Sequence, residues 1–271
     1  IATHARALGI PVFYYISPQV WAWKAGRVKR IRRDVTELCV ILPFEQEWYA
    51  ERGMDVTFVG HPLLDAIAEE NDHPPTPLPG ADGRPVIALL PGSRRQEVER
   101  MLPVMLAAAA GFTDHQCVVA AAPALDDAVY APFLRKSPAL VVRDHTYALL
   151  RQARAALVTS GTATLETALF GVPEVVCYGG SAVNVWLARR LVNVRFISLV
   201  NLIMEREVVR EMIQQDLTPE ALSAELRRLL HDEPYRAAML ADLARLRERL
   251  GGPGASAKAA ARLWKILERP S

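Results

Sequence analysis

The residues best placed to do chemistry lie in "LLPGSRRQEVE" (89–99). An apolar run stops at Pro91-Gly92-Ser93, two arginines follow, and the next residues carry helical spacing. A helix start offers free N–H groups and roughly half a positive charge from its aligned peptide dipoles, so it favours anions and disfavours cations. Arg94 and Arg95 at such a place call for a negative partner. A phosphate group held by the backbone at Gly92 and Ser93 and by a guanidinium is the chemistry that suits them. The same letters also fit a capped surface helix, with Ser93 as cap, Gln96 completing a capping box and both arginines in water. A Walker loop is excluded, since no Gly-Lys-Ser/Thr is present.

A second loop of the same kind is "ALVTSGTATLETALFGVPEVVCY" (156–178). An apolar run ends in Ser160-Gly161-Thr162 and a helix begins. Glu166 falls in its first turn or just after. A carboxylate there complements the dipole, and it also suits two neighbouring hydroxyls such as those of a ribose. A third stretch, "SPQVWAWKAGRVKRIRRD" (17–34), sets Trp21 and Trp23 before six cations: Lys24, Arg27, Lys29, Arg30, Arg32 and Arg33. That combination fits a membrane interface or an anionic ligand, and equally a solvated basic helix with Val28 and Ile31 on its apolar side. Asn201, after the apolar run 196–199, reads as a turn residue or a ligand contact. In the segment before it, Trp186, Leu187, Leu191 and Val192 read as core, and Arg189 and Arg190 as surface. His61, before Pro62, reads as structural.

The elements that must position these residues are short apolar runs at 12–16, 38–42, 56–59, 86–90, 117–122, 140–142, 155–159, 175–178 and 196–199, mostly separated by helical patterns. Runs without alternation imply strands covered on both faces, and strand–helix repetition implies doubly wound parallel sheets. In such sheets ligands sit beyond the carboxyl ends of the strands, where both glycine loops fall. A Pro- and Gly-rich stretch at 69–85 is a loop or linker. The predicted organisation is residues 1–60 as the later part of a first α/β domain, 61–235 as a complete second one, and 236–271 as C-terminal helices, whose packing back on the first domain the sequence leaves open. The predicted last helix is 257–268. The absence of an initiator Met and an opening in mid-helix predict that an N-terminal portion is missing.

With 271 residues, 51% hydrophobic and 23% charged, the chain can bury real cores. A net charge of +2 gives no reason to expect nucleic acid. Cys39, Cys117 and Cys177 are far apart within apolar runs and read as buried thiols of a reducing compartment. No metal-ligand spacing is present, and no apolar run reaches the roughly 18 residues of a spanning helix.

In order along the chain, "YYISPQVWAWKAGRVKRI", "LPFEQEWY", "FVGHPLLD", "LLPGSRRQEV", "SGTATLE" and "VNLIMEREVVREMIQ" closely resemble the lipid-A-disaccharide synthases, inverting glycosyltransferases of GT-B architecture. The resemblance runs from about residue 10 to 215. It implies an α/β, GT-B-like fold of two Rossmann-like domains, the first incomplete, with C-terminal helices. It implies transfer from UDP-2,3-diacylglucosamine to 2,3-diacylglucosamine 1-phosphate (lipid X), giving a β(1→6)-linked disaccharide and UDP, with no cofactor and no metal. On that resemblance Arg94 stabilises the leaving diphosphate, helped by Gly92, Ser93 and, at a position where the family varies, Arg95. Ser160, Gly161 and Thr162 shape the second loop, Glu166 binds the ribose hydroxyls, and Asn201 belongs to the nucleotide pocket. Trp21, Trp23, Lys24 and Arg27 are the membrane contact of a cytoplasmic enzyme lying on the inner face of the inner membrane, and a homodimer is implied. The family's general base, an Asp of the N-terminal domain, has no counterpart, so the chain alone is expected to bind UDP without turnover. Rivals are another GT-B enzyme, such as a UDP-N-acetylglucosamine 2-epimerase, or a non-catalytic nucleotide-binding fragment.

Overall fold

The computed structural model describes residues 1–23, 25–74, 76–135, 137–179 and 195–268. The sequence readings on Lys24, Trp186, Leu187, Arg189, Arg190, Leu191 and Val192, and on the Trp23 side chain, lie outside what is described.

The described residues divide into two compact units, one from 1–69 with 247–268, the other from 70–179 with 195–246. The first boundary falls at 69/70 rather than 60/61. The cause is the helix Pro62–Asp72, whose Asp65 is tied to the start of the last helix, Ala255–Leu267. Asp65 Oδ2 accepts from Ser256 N–H at 2.9 Å, and Oδ1 accepts from the N–H groups of Gly254 and Ala255. The first unit holds a three-stranded parallel sheet in the order β1 (Phe13–Tyr15), β2 (Glu37–Val40), β3 (Thr57–Phe58). Helices Val28–Asp34 and Pro43–Ala50 cover it, with Val28, Ile31, Leu38, Val40, Tyr49 and Val56 in one core. On the other side Ala259 of the last helix meets Cys39 and Val59, and Arg262 Nη2 pairs with Glu37 at 2.6 Å.

The second unit is a six-stranded, wholly parallel sheet: β4 (Val86–Leu90), β5 (Gln116–Ala121), β6 (Leu140–Arg143), β7 (Ala153–Thr159), β8 (Glu174–Tyr178) and β9 (Arg210–Ile213). Its spatial order is β6-β5-β4-β7-β8-β9. The chain therefore builds outward from β4 on one side, then returns and builds outward from β7 on the other. The two strands at that reversal leave a crevice beyond their carboxyl ends, where open α/β sheets hold ligands. β4 is buried at all five residues, as a strand covered on both faces must be. The core around it includes Ala88, Leu90, Val118, Val142, Leu149, Ala156 and Val158.

One expected strand is not a strand. In place of 196–199 the sheet takes Arg210–Ile213, and the apolar run continues into a helix, Leu199–Met204. Ser198 caps that helix by accepting from Asn201 N–H, and Glu211 on β9 accepts from the N–H groups of Ile197 and Ser198. Those bonds use the backbone groups that a ladder would need. Among the described residues all three cysteines are free thiols.

Candidate active site

The loop after β4 and the loop after β7 flank one cavity of about 440 Å³. Gly92, Ser93 and Arg94 line one side, Ser160, Gly161, Thr162 and Glu166 another, and Ala121, Ala122, Pro123 and Thr146 complete the wall. Two helices start at it: Arg95–Ala109, with Arg94 as its extended N-cap, and Thr162–Leu169, with Gly161 as its N-cap. Both dipoles point their positive ends at the cavity. Gly92 has a φ of +112°, a conformation other residues adopt only under strain.

The capping differs from the sequence expectation. Arg94, not Ser93, is the N-cap, and Glu97, not Gln96, closes the helix start. Glu97 Oε2 accepts from Ser93 N–H at 2.9 Å and from Arg94 N–H at 3.2 Å. Its Oε1 takes Arg94 Nη1 at 3.0 Å. The Arg94 side chain is 83% exposed, so this ion pair contributes little stability and leaves the guanidinium available. Arg95 is not among the cavity-lining residues. It leans along the helix surface toward Glu99 at 3.8 Å.

Glu166 is half-buried, and Tyr147 Oη donates to its Oε1 at 3.2 Å. Burial pushes the Glu166 carboxyl above the ordinary carboxylate range, and the Tyr147 hydrogen bond opposes that rise. The Tyr147 phenol is pushed up to about 12 by its own burial and by the charge of Glu166. Its ring lies 5.0 Å from that of Phe170, one turn beyond Glu166. Thr159, at the end of β7, also lines the cavity, and its buried hydroxyl has no hydrogen-bond partner among the described residues. The opposite wall is fixed by Arg143, which donates to the carbonyls of Ala122 at 2.8 Å and Leu125 at 2.7 Å, and by Tyr130 Oη, which accepts from Ala122 N–H. Glu97 was within reach of sequence reasoning, through its spacing three residues after Arg94. Tyr147 and Arg143 carried no local signal, since each acts across the tertiary fold.

Two expected contacts stand elsewhere. Asn201 is fully buried and is not among the cavity-lining residues. Its amide donates to Val209 O at 2.8 Å and Glu211 Oε1 at 2.9 Å, and its carbonyl accepts from Val208 and Val209 N–H. It joins a helix to β9 and has no group left for a ligand. Trp21 is half-buried, edge-on to Phe44 at 5.0 Å, with its indole N–H donated to Glu45 at 3.2 Å. Burial pushes the Glu45 carboxyl up to about 7. Arg27 is exposed. His61 is buried; its Nδ1 accepts from Leu63 N–H, and burial lowers its imidazole to about 4.

Two carboxyl-end loops with dipoles, a guanidinium and a carboxylate around a cavity of this size suit a nucleoside diphosphate. Comparison with known proteins narrows that chemistry. A lipid-A-disaccharide synthase of Trichlorobacter lovleyi is 42% identical over 98% of this chain and 71% of its own length. Among solved structures, a Listeria monocytogenes protein assigned as a UDP-N-acetylglucosamine 2-epimerase superposes with a TM-score of 0.66. It is 13% identical over 100% of this chain and 72% of its own. MurG of Acinetobacter baumannii gives 0.56 at 17% identity, over 97% and 69%. Likeness at those identities shows the shared GT-B fold, whereas the 42% relative decides between the enzymes that use it. The family model described as lipid-A-disaccharide synthetase matches residues 1–263, and the chain belongs to that family.

Proposed function

We propose that the cavity between the loops after β4 and β7 binds the UDP-2,3-diacylglucosamine donor of lipid A disaccharide synthesis. In this reading the sugar passes to 2,3-diacylglucosamine 1-phosphate with inversion, and UDP leaves. The observation that carries it is the placement of Arg94 and Glu166 on opposite sides of one crevice, each beside a helix start, in a chain of this family. As the sugar–oxygen bond breaks, charge grows on the departing diphosphate. Amides at Ser93 and Thr162 and the Arg94 guanidinium stabilise that charge more than the bound ground state, and only this difference lowers the barrier. Glu166 Oε2 is left to accept from the ribose hydroxyls while Tyr147 holds Oε1. A cation fixed in the protein takes the role that a divalent metal plays elsewhere, so chelator-treated enzyme is expected to keep its activity. The base that takes the acceptor proton is expected outside these 271 residues.

Calorimetry tests the reading: UDP binds and ADP binds more weakly. No heat with UDP ends it. Membrane association is proposed through Arg27 and the exposed cations that follow it, without Trp21, whose indole is committed to Glu45. Among the described residues no helix is long and apolar enough to cross a membrane. Sedimentation with anionic vesicles, lost at high salt, is the expected result. The cytoplasmic face of the inner membrane and a homodimer are part of the same proposal; light scattering checks the second.

A further inference from the structure

Two of the donors assigned to the diphosphate, the Ser93 N–H and the Arg94 guanidinium, are engaged by a carboxylate of this chain, which also takes the Arg94 N–H. Both oxygens of Glu97 are used: Oε2 by Ser93 N–H at 2.9 Å and Arg94 N–H at 3.2 Å, Oε1 by Arg94 Nη1 at 3.0 Å. The side chain lies directly over Gly92. A Cβ at Gly92 would stand 2.6 Å from both Cβ and Oε2 of Glu97. Glu97 itself lines the cavity. Two amides and one guanidinium converging on an anion is the arrangement that a phosphate group requires.

We propose that Glu97 is the internal ligand of this cradle. It holds both N–H groups and the Arg94 guanidinium in the geometry a diphosphate needs, and it gives them up when the diphosphate arrives. The inference rests on the donor site proposed above. Two anions cannot share the same two N–H donors, so nucleotide binding and the Glu97 contact exclude each other. The carboxylate thus acts as a competitor at fixed local concentration, and the observed affinity is the intrinsic one reduced by the fraction of chains in which Glu97 has moved aside. A residue that only caps the helix predicts the opposite sign. Its removal would loosen the helix start and leave nucleotide binding equal or weaker.

Glu97→Gln keeps the shape and removes the charge, which weakens the bonds that compete. Calorimetry with UDP, inorganic pyrophosphate and uridine on the native chain and the variant is the test. The expected result is UDP and pyrophosphate binding about tenfold tighter in E97Q, with uridine unchanged. UDP binding that is equal or weaker in a variant that still melts cooperatively overturns the proposal. If E97Q does not fold, Glu97→Asp keeps the charge but draws the carboxylate back by one methylene. Tighter UDP binding there supports displacement, and none overturns it. Native chain that binds pyrophosphate but not UDP fails the nucleotide reading alone; tightening of pyrophosphate by E97Q still supports Glu97 as internal ligand. Binding of neither by native chain and variant ends both.

Discussion

Tyr147→Phe isolates the contribution of one hydroxyl. The ring stays against Phe170, 5.0 Å between centroids, while the O–H that reaches Glu166 Oε1 at 3.2 Å is lost. A hydrogen bond to a charged group contributes about 1.5–3 kcal/mol. At 3.2 Å this one is long for a hydroxyl on a carboxylate, so about 1 kcal/mol is expected, a fall of about fivefold in UDP affinity. Removal of the carboxylate in Glu166→Gln costs more, about 1.5–3 kcal/mol. If Tyr147 acts by orienting Glu166, its own substitution is nearly silent once Glu166 is Gln. Calorimetry on the four chains of that double-mutant cycle should therefore give a coupling of about 1 kcal/mol. Effects that add to within about 0.3–0.5 kcal/mol would refute the reasoning. The pH profile supplies a second reading. In the proposed complex Glu166 accepts from ribose hydroxyls more strongly when ionised, and burial already holds its carboxyl high while Tyr147 pulls it down. In the Phe variant the carboxyl climbs further, so UDP affinity fails at a higher pH as the solution is acidified.

Arg94→Ala, measured in an enzyme that turns over, should lose about 10²–10³ in turnover, or about 3–4 kcal/mol, the usual cost of one preorganised donor; near-normal turnover removes Arg94 from the mechanism. Asp65→Ala strips the N–H partners at residues 254–256 and should destabilise the first unit by about 1–2 kcal/mol. Faster labelling of the buried Cys39 thiol, which lies under the last helix, reports it. Glu174 is fully buried, and neither carboxylate oxygen has a hydrogen-bond partner among the described residues, so its carboxyl is held well above the ordinary value of 4.5 by burial. The folded chain then keeps a proton that the unfolded chain releases, and stability falls as pH rises from the ordinary value toward the raised one. Glu174→Gln should melt about 2–4 °C higher or more at pH 8, with the gap closing toward pH 5; parallel melting curves at both pH values would count against the assignment.

The parts legible in the sequence were those written as local pattern. β4 lies where the unbroken apolar run 86–90 puts it, and both glycine loops sit at strand ends because Gly92 and Gly161 mark turns. β9 was not legible. As an edge strand with Arg210 exposed and Glu211 turned to the Ser198 cap, it lacks the apolar run of a central strand. The run at 196–199 misled for the converse reason: Ser198 and Glu211, thirteen residues apart, make its end a helix start. At the site, the loops could be read but their partners could not. Spacing announces a Glu three residues after a cap, whereas Tyr147 reaches Glu166 from another helix. Trp21 looked like a surface anchor because nothing near it in sequence reveals Glu45 and Phe44 as its neighbours.

The first unit is assembled from both ends of the described chain, with Ala259 and Arg262 seated on β2 and its neighbours. On the ribosome, Cys39 and Val59 emerge about two hundred residues before the helix that shields them. At about 5–20 residues per second that is a wait of roughly 10–40 s. The intervening six-stranded sheet, whose last strand ends at Ile213, can close during that interval. Order of manufacture thus lets the six-stranded half fold early and leaves the three-stranded half dependent on a helix translated roughly two hundred residues later.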